Sequence, residues 1–244
     1  MSIDLTKMPK LGFGLMRLPE IHGVIDHEQV CRMVDLYMQA GLTYFDTAYV
    51  YHHGMSEVEV KKAIVDRYPR ESCTVATKLP EWEIKCEEDK ERIFNEQLER
   101  TGAGYFDFYL MHAQDRNNYQ KFKKCRAYET CYALKQEGKI RHFGFSFHGG
   151  PDLLEELLTK HPDVDFVQLQ LNYVDWEDHR VQSRACYEVC VKHGKPVIVM
   201  EPVKGGSLVN LPQKALDLMK DCAASYAIRF AADPENMVMV LSGM

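Results

Sequence analysis

Long apolar runs, an excess of positive charge and paired cysteines are all missing from this 244-residue chain, and each absence narrows what it does. No apolar stretch approaches the ~20 residues that a membrane helix needs. The opening residues, MSIDLTKMPK, hold no apolar signal-peptide core, so a cytosolic, cytoplasmic protein is expected. A net charge of -6 leaves no broad basic surface, which argues against nucleic acid as the main partner. Eight cysteines are present, yet none form a Cys-x-x-Cys pair, and reduced thiols rather than a metal site are expected from them. There is no internal repeat, low-complexity tract or linker, no serine–histidine–acid order and no His-x-x-x-His spacing. The adjacent histidines of YHHG, residues 51–54, point to different sides and do not suggest a metal.

What remains is ordinary globular composition, 45% hydrophobic and 27% charged, enough for a sizeable core. Short β-rich runs alternate with amphipathic segments from end to end. Strands are expected at Lys10–Leu15, Thr43–Asp46, Cys73–Lys78, Tyr105–His112, Arg141–Ser146, Asp165–Asn172, Pro196–Met200 and Met237–Gly243. Between them, His27–Ala40 carries Val30, Met33, Val34 and Met38 at helical spacing. Ser56 and Glu59 read as a capping box before a helix with Val60, Ala63 and Ile64. Further helices are expected at Glu88–Thr101, Ala127–Gln136, Leu153–Thr159, Gln182–His193 and Ala223–Ala231.

Strict alternation of strand and helix implies parallel pairing through crossover helices. Eight such units in about 250 residues predict an α/β fold of one domain, residues 1–244, a closed (β/α)8 TIM barrel. A doubly wound sheet is the alternative, but the GFG at Gly12–Gly14 lacks the third glycine of a phosphate-binding fingerprint. The chain stops at Met244, directly after the eighth strand, so a missing final helix is expected, through a longer natural chain or a covering partner.

Active sites of such barrels gather at the C-terminal ends of the strands. The second strand ends at Asp46, with Tyr51 on the loop beyond; the third ends at Lys78 and the fourth at His112. The fifth ends at Ser146, the sixth at Gln168, Gln170 and Asn172, the seventh runs into Glu201. Singly, each has a plain explanation: a turn cap, a rim aromatic, a solvated lysine, a strand-end histidine. Jointly they put an acid, an ammonium, a phenol and an imidazole on one rim. A phenol of pKa about 10 is a poor acid at neutral pH, and a nearby ammonium is expected to lower that value. A carboxylate is needed to hold such a lysine where solvent is scarce. A neutral imidazole orients a carbonyl, completing a tuned acid beside an oxygen on which charge develops.

These segments resemble the aldo-keto reductases. The resemblance runs through LGFGLMRLP (Leu11–Pro19), GLTYFDTAYVYHHGMSE (Gly41–Glu57), VATKL (Val75–Leu79), YFDFYLMH (Tyr105–His112), GKIRHFGFS (Gly138–Ser146) and VQLQLNY (Val167–Tyr173), in family order. VIVMEPVKGGSL and VLSGM are further similar to a bacterial branch that often continues into a cysteine-rich, iron–sulfur tail. The resemblance implies reduction of a small-molecule aldehyde or ketone by NADP(H), with NAD(H) as the alternative, and an iron–sulfur cluster only if a tail exists beyond Met244. Residue by residue it makes Tyr51 the proton donor, tuned by Lys78 and Asp46, and His112 the carbonyl-orienting group. It makes Gly14, Leu15, Met16, Ser146, Gln168, Met200, Pro202, Val203, Lys204 and Gly205 cofactor contacts, with Asp46 beside them. Phe147 stands where the family usually has asparagine, and Met200 where an aromatic ring commonly stacks on the nicotinamide. Two other functions remain open: a weakly catalytic regulatory or scaffold relative, and a barrel lyase using Lys78 as a Schiff-base amine.

Overall fold

The computed structural model describes residues 5–243. The first four residues and Met244, on which the readings of the two chain ends partly rest, lie outside the described residues. The strands are β1 (Leu11–Gly14), β2 (Glu20–Ile21), β3 (Val24–Ile25), β4 (Tyr44–Asp46), β5 (Thr74–Leu79), β6 (Phe106–Gln114), β7 (Ile140–Phe147), β8 (Phe166–Gln170), β9 (Val197–Met200) and β10 (Met237–Gly243). Eight of them close in the order β1-β10-β9-β8-β7-β6-β5-β4, every barrel pair parallel and β4 returning to β1. Phe13 faces Phe45 in register across that closing seam.

Side chains alternate along a strand, so each barrel strand feeds two different cores. One set fills the lumen: Tyr44, Ala76, Phe108, Leu110, Phe166, Ile198 and Met239 pack on one another there. The other set, including Phe45, Val75, Tyr109, Phe143, Val167 and Val199, meets the surrounding helices. Gly144 is required by the lumen's crowding: a Cβ there would stand 2.4 Å from the Phe166 carbonyl oxygen and 2.9 Å from its ring.

The helices are α1 (His27–Gln39), α2 (Met55–Val60), α3 (Asp89–Thr101), α4 (Arg116–Lys124), α5 (Ala127–Gln136), α6 (Pro151–Lys160), α7 (Ser183–Lys192), α8 (Gln213–Leu216) and α9 (Ala223–Ala232). Asp26 caps α1, its carboxylate accepting from the Gln29 amide at 3.0 Å. No helix among the described residues is long and apolar enough to cross a membrane.

Two local readings are corrected. Ser56 and Glu59 form no capping box. The helix α2 starts one residue before Ser56, behind Gly54 in a left-handed conformation, with no side-chain cap. Ser56 is instead buried, donating to the Leu15 carbonyl at 3.0 Å and sharing a 2.7 Å bond with Thr47. Glu59 turns to His27, 2.5 Å away. The segment after His112, where the sequence pattern showed no helix, contains α4. Asp115 and Asn118 make its capping box, and Tyr119 and Phe122, one turn apart, bury its inner face. The short hairpin β2–β3 was also not expected. His22 and Gly23 both take positive φ at its tip, as a two-residue turn of this hand demands.

Candidate active site

The alternation that fills the lumen also builds the site. Two residues beyond each lumen residue, on the same face, stands a rim residue, polar on four of the five strands: Asp46 after Tyr44, Lys78 after Ala76, His112 after Leu110, Gln168 after Phe166, and the apolar Met200 after Ile198. Ser146 follows Gly144 in the same way on β7. Apolar packing below fixes the direction in which each chemical group above it points. At His112 the β6–β7 register shifts between Met111 and Gln114, and Ala113 takes a φ of +53°. This bulge ends the regular pairing and turns the chain just past the imidazole.

The rim encloses a cavity of about 430 Å³. Gly14, Met16, Asp46, Tyr51, Lys78, His112, Ser146, Gln168, Met200, Pro202, Val203 and Gly205 line it. Leu15 and Lys204 do not. Leu15 is fully buried in the outer core, its amide donating to the Asp46 carbonyl at 2.9 Å. Lys204 turns away to form an ion pair with the buried Asp175. Burial works to raise the Asp175 carboxyl, but donors from Lys204, Gln170 and Asn172 prevail and hold it below its ordinary value. Asn172 also donates to the Glu201 carbonyl at 3.1 Å, which braces the loop after β9.

Seven lining residues were given no catalytic or cofactor role by the sequence: Arg17, His148, Glu201, Gly206, Val209, Leu241 and Gly243. Arg17 and Glu201 approach to 3.3 Å, joining the loops after β1 and β9 across the mouth. Trp82 packs its ring 5.0 Å from that of His112. A signal for Trp82 existed, since it lies four residues beyond the strand-end lysine on the same βα loop.

The electrostatics are set by burial. Lys78 and Asp46 are almost wholly enclosed, with side chains 1% and 4% exposed. The ammonium donates to Asp46 Oδ1 at 2.6 Å and to the Thr47 carbonyl at 2.7 Å. Burial alone would lower the lysine's pKa, but Asp46 and Tyr51 outweigh it and hold the pKa above its ordinary value. The ammonium also lies 4.8 Å from the centre of the Tyr51 ring. Contrary to expectation, the phenol is not brought below its ordinary pKa. Burial raises it, and Lys78 pulls against that without overcoming it. Tyr51 therefore stays protonated through neutral pH. His112, its ring 5.9 Å from Tyr51, is pushed well below the usual imidazole range, first by burial and then by the Lys78 and His148 charges.

Three buried atoms on this rim, Asp46 Oδ2, His112 Nδ1 and Gln168 Oε1, have no hydrogen-bond partner among the described residues. Buried polar atoms are normally satisfied, so three bordering one cavity mark a place built for a polar ligand.

Comparison with known proteins agrees with this geometry. The family model "Aldo/keto reductase family" matches residues 10–238. An aldo-keto reductase of Mycolicibacterium smegmatis is 30% identical over 212 residues, covering 86% of this chain and 69% of that protein. Probable aldo-keto reductase 1 of Glycine max is 29% identical over 176 residues, covering 67% of this chain; the chain spans 48% of that relative's length. Among solved structures, an aldo-keto reductase from Klebsiella pneumoniae in complex with NADPH superposes with a TM-score of 0.77 at 20% identity, over 97% of this chain and 81% of its own. The barrel, its polar rim and a family match running through nearly all of the sequence agree, and the chain belongs to the aldo/keto reductase family.

Proposed function

We propose that this protein is an NADP(H)-dependent carbonyl reductase acting from a single barrel domain, with Tyr51 as the proton donor to an aldehyde or ketone. The observation that carries the reading is the buried Lys78–Asp46 pair at 2.6 Å, with the Tyr51 ring 4.8 Å from the same ammonium. A fixed positive charge beside a phenol lowers the cost of removing its proton in the transition state, while burial keeps the phenol protonated beforehand. Asp46 keeps the ammonium in place and charged. His112, neutral at working pH, offers an N–H to the carbonyl oxygen and orients it without competing as an acid.

The residues present fit a nicotinamide. Its carboxamide carries one acceptor and one donor group; Ser146 has a hydroxyl proton to give, and Gln168 Oε1 is buried without a donor. Met200 supplies a polarisable wall where a ring face would lie. Pro202, Val203 and Gly205 line the approach for the remainder of the cofactor. When bound, the cofactor supplies the hydride, and the protein supplies geometry and charge. The Klebsiella pneumoniae relative binds NADPH, which favours NADP(H) over NAD(H) here. The lyase alternative is disfavoured, because Schiff-base formation needs a free neutral amine and Lys78 is held as an ammonium by two acceptors.

The test is Tyr51→Phe. We expect kcat for carbonyl reduction to fall on the order of 10²-fold or more, with little change in NADPH affinity by fluorescence titration. Near wild-type turnover by the phenylalanine variant would show that Tyr51 is not the acid.

A further inference from the structure

Behind the rim, outside the barrel wall, lies a second polar cluster that the reduction chemistry does not use directly. Glu57 on α2, Thr77 on β5 and Gln97 on α3 are each 0% exposed, with Tyr109 of β6 at 1%. The Gln97 amide nitrogen lies 2.8 Å from Glu57 Oε1, 3.0 Å from Thr77 Oγ1 and 3.0 Å from the Lys78 carbonyl oxygen. Thr77 donates to the same Glu57 oxygen at 2.7 Å, and the Tyr109 hydroxyl donates to Gln97 Oε1 at 2.8 Å. Arg100 faces the other Glu57 oxygen at 3.5 Å. Its guanidinium also approaches the Tyr49 carbonyl at 3.4 Å and stacks over the Tyr49 ring at 4.2 Å.

The cluster thus grips the chain at two places. One is the backbone of Lys78 itself. The other is the loop 47–54, held two residues before Tyr51 through Tyr49 and just after it through α2. Helix-to-barrel packing alone needs no such arrangement. Burying a carboxylate is costly, burial pushes the Glu57 carboxyl upward, and apolar side chains of like volume would join α2 and α3 to β5 at less cost. The cluster does what apolar packing cannot: directional bonds fix the height of one backbone atom relative to another.

We infer that Gln97, backed by Glu57 and Thr77, is a positioning residue that holds Lys78 at its working distance from Tyr51. The inference rests on the reading of Tyr51 and Lys78 as the proton-donating pair. Misplacement of a catalytic group by about 1 Å costs on the order of 10²-fold in rate, so a half-loosened Lys78 is expected to cost about tenfold.

The test compares Gln97→Met with the wild type by NMR titration of ring-labelled tyrosine, the Tyr51 signal being assigned by its loss in Tyr51→Phe. As the ammonium moves away, the Tyr51 phenol should titrate higher by about half a pH unit or more. The rate of phenylglyoxal reduction with NADPH should fall about tenfold, with NADPH affinity unchanged. Asp107→Asn is the stability control. Asp107 accepts from Arg70 and Arg141 at 2.8 Å each, away from the cavity, so its loss should lower the melting temperature without moving the Tyr51 titration. If Gln97→Met does not fold, Thr77→Val and Thr77→Ser carry the test: valine should move the titration and serine should restore it. An unmoved Tyr51 titration in the folded Gln97 variant, or in Thr77→Val, overturns the inference. Retained turnover by Tyr51→Phe would instead overturn the proton-donor reading, leaving the titration to judge the cluster independently.

Discussion

Replacing Asp46 by asparagine isolates the electrostatic centre of the site. The side chain keeps its shape and loses its charge, so the Lys78 ammonium, 1% exposed, is left with neutral acceptors only, the amide oxygen and the Thr47 carbonyl at 2.7 Å. Breaking a buried pair by removing one partner costs about 3–5 kcal/mol, because the other charge stays uncompensated. For a chain of this length each kcal/mol lowers Tm by about 2–4 °C, so a fall of roughly 6–20 °C is expected. The loss should depend on pH. In the variant, the folded-state pKa of Lys78 drops below its unfolded value near 10.4, so the unfolded chain binds more protons and stability rises with pH. The gap between wild type and variant should therefore narrow from pH 7 to pH 9. Adding Lys78→Met removes the stranded charge, and the double variant should melt above Asp46→Asn alone. Thermal and urea melts of the four proteins give the coupling energy. Additive single losses, or an Asp46→Asn variant that melts within about 1 °C of wild type, would refute the view that this pair is strongly coupled in the folded protein.

Two further outcomes follow from the same geometry. Borohydride treatment with a carbonyl substrate should leave no adduct on Lys78 by mass spectrometry, since an ammonium that donates two hydrogen bonds has no lone pair to attack with; a trapped adduct would replace the reductase mechanism with the lyase one. His112 resists protonation when folded yet titrates near 6.5 when unfolded, so below that pH the unfolded chain gains a proton the folded one refuses and stability falls. His112→Asn should flatten the acid limb of the stability profile by up to about 1.4 kcal/mol per pH unit, and an unchanged limb would mean that His112 is protonated in the folded state.

Much of this protein is legible in its sequence because a parallel barrel writes itself as short apolar runs alternating with amphipathic helices. The run from Met237 to Gly243 matches β10 end for end, and Ala127–Gln136 matches α5. Asp46, Lys78, His112 and Ser146 are identifiable as rim residues because each closes an expected apolar strand, and Gln168 because it opens a run of polar side chains in the outer half of the sixth; alternation then dictates the side they face. Helix α4 escaped notice because its capping box uses aspartate and asparagine, and only two of its side chains, Tyr119 and Phe122, are buried. The Ser56–Glu59 pattern misled for the opposite reason: its spacing is that of a cap, but both side chains found stronger partners from elements distant in sequence.

Sequence by itself determined the barrel, its strand order and the residue types on its rim, since these follow from local periodicity and the short connections between neighbouring elements. Only the tertiary structure decided what each group there experiences. Whether the Tyr51 phenol lies above or below its ordinary pKa depends on the balance between burial and one ammonium, and burial wins. Lys204 leaves the cavity because Asp175, far from it in sequence, waits behind the loop; Gln97 reaches the Lys78 backbone from a helix the catalytic motif does not include. Desolvation and long-range hydrogen bonds depend on the whole surroundings of an atom, and no stretch of sequence contains them.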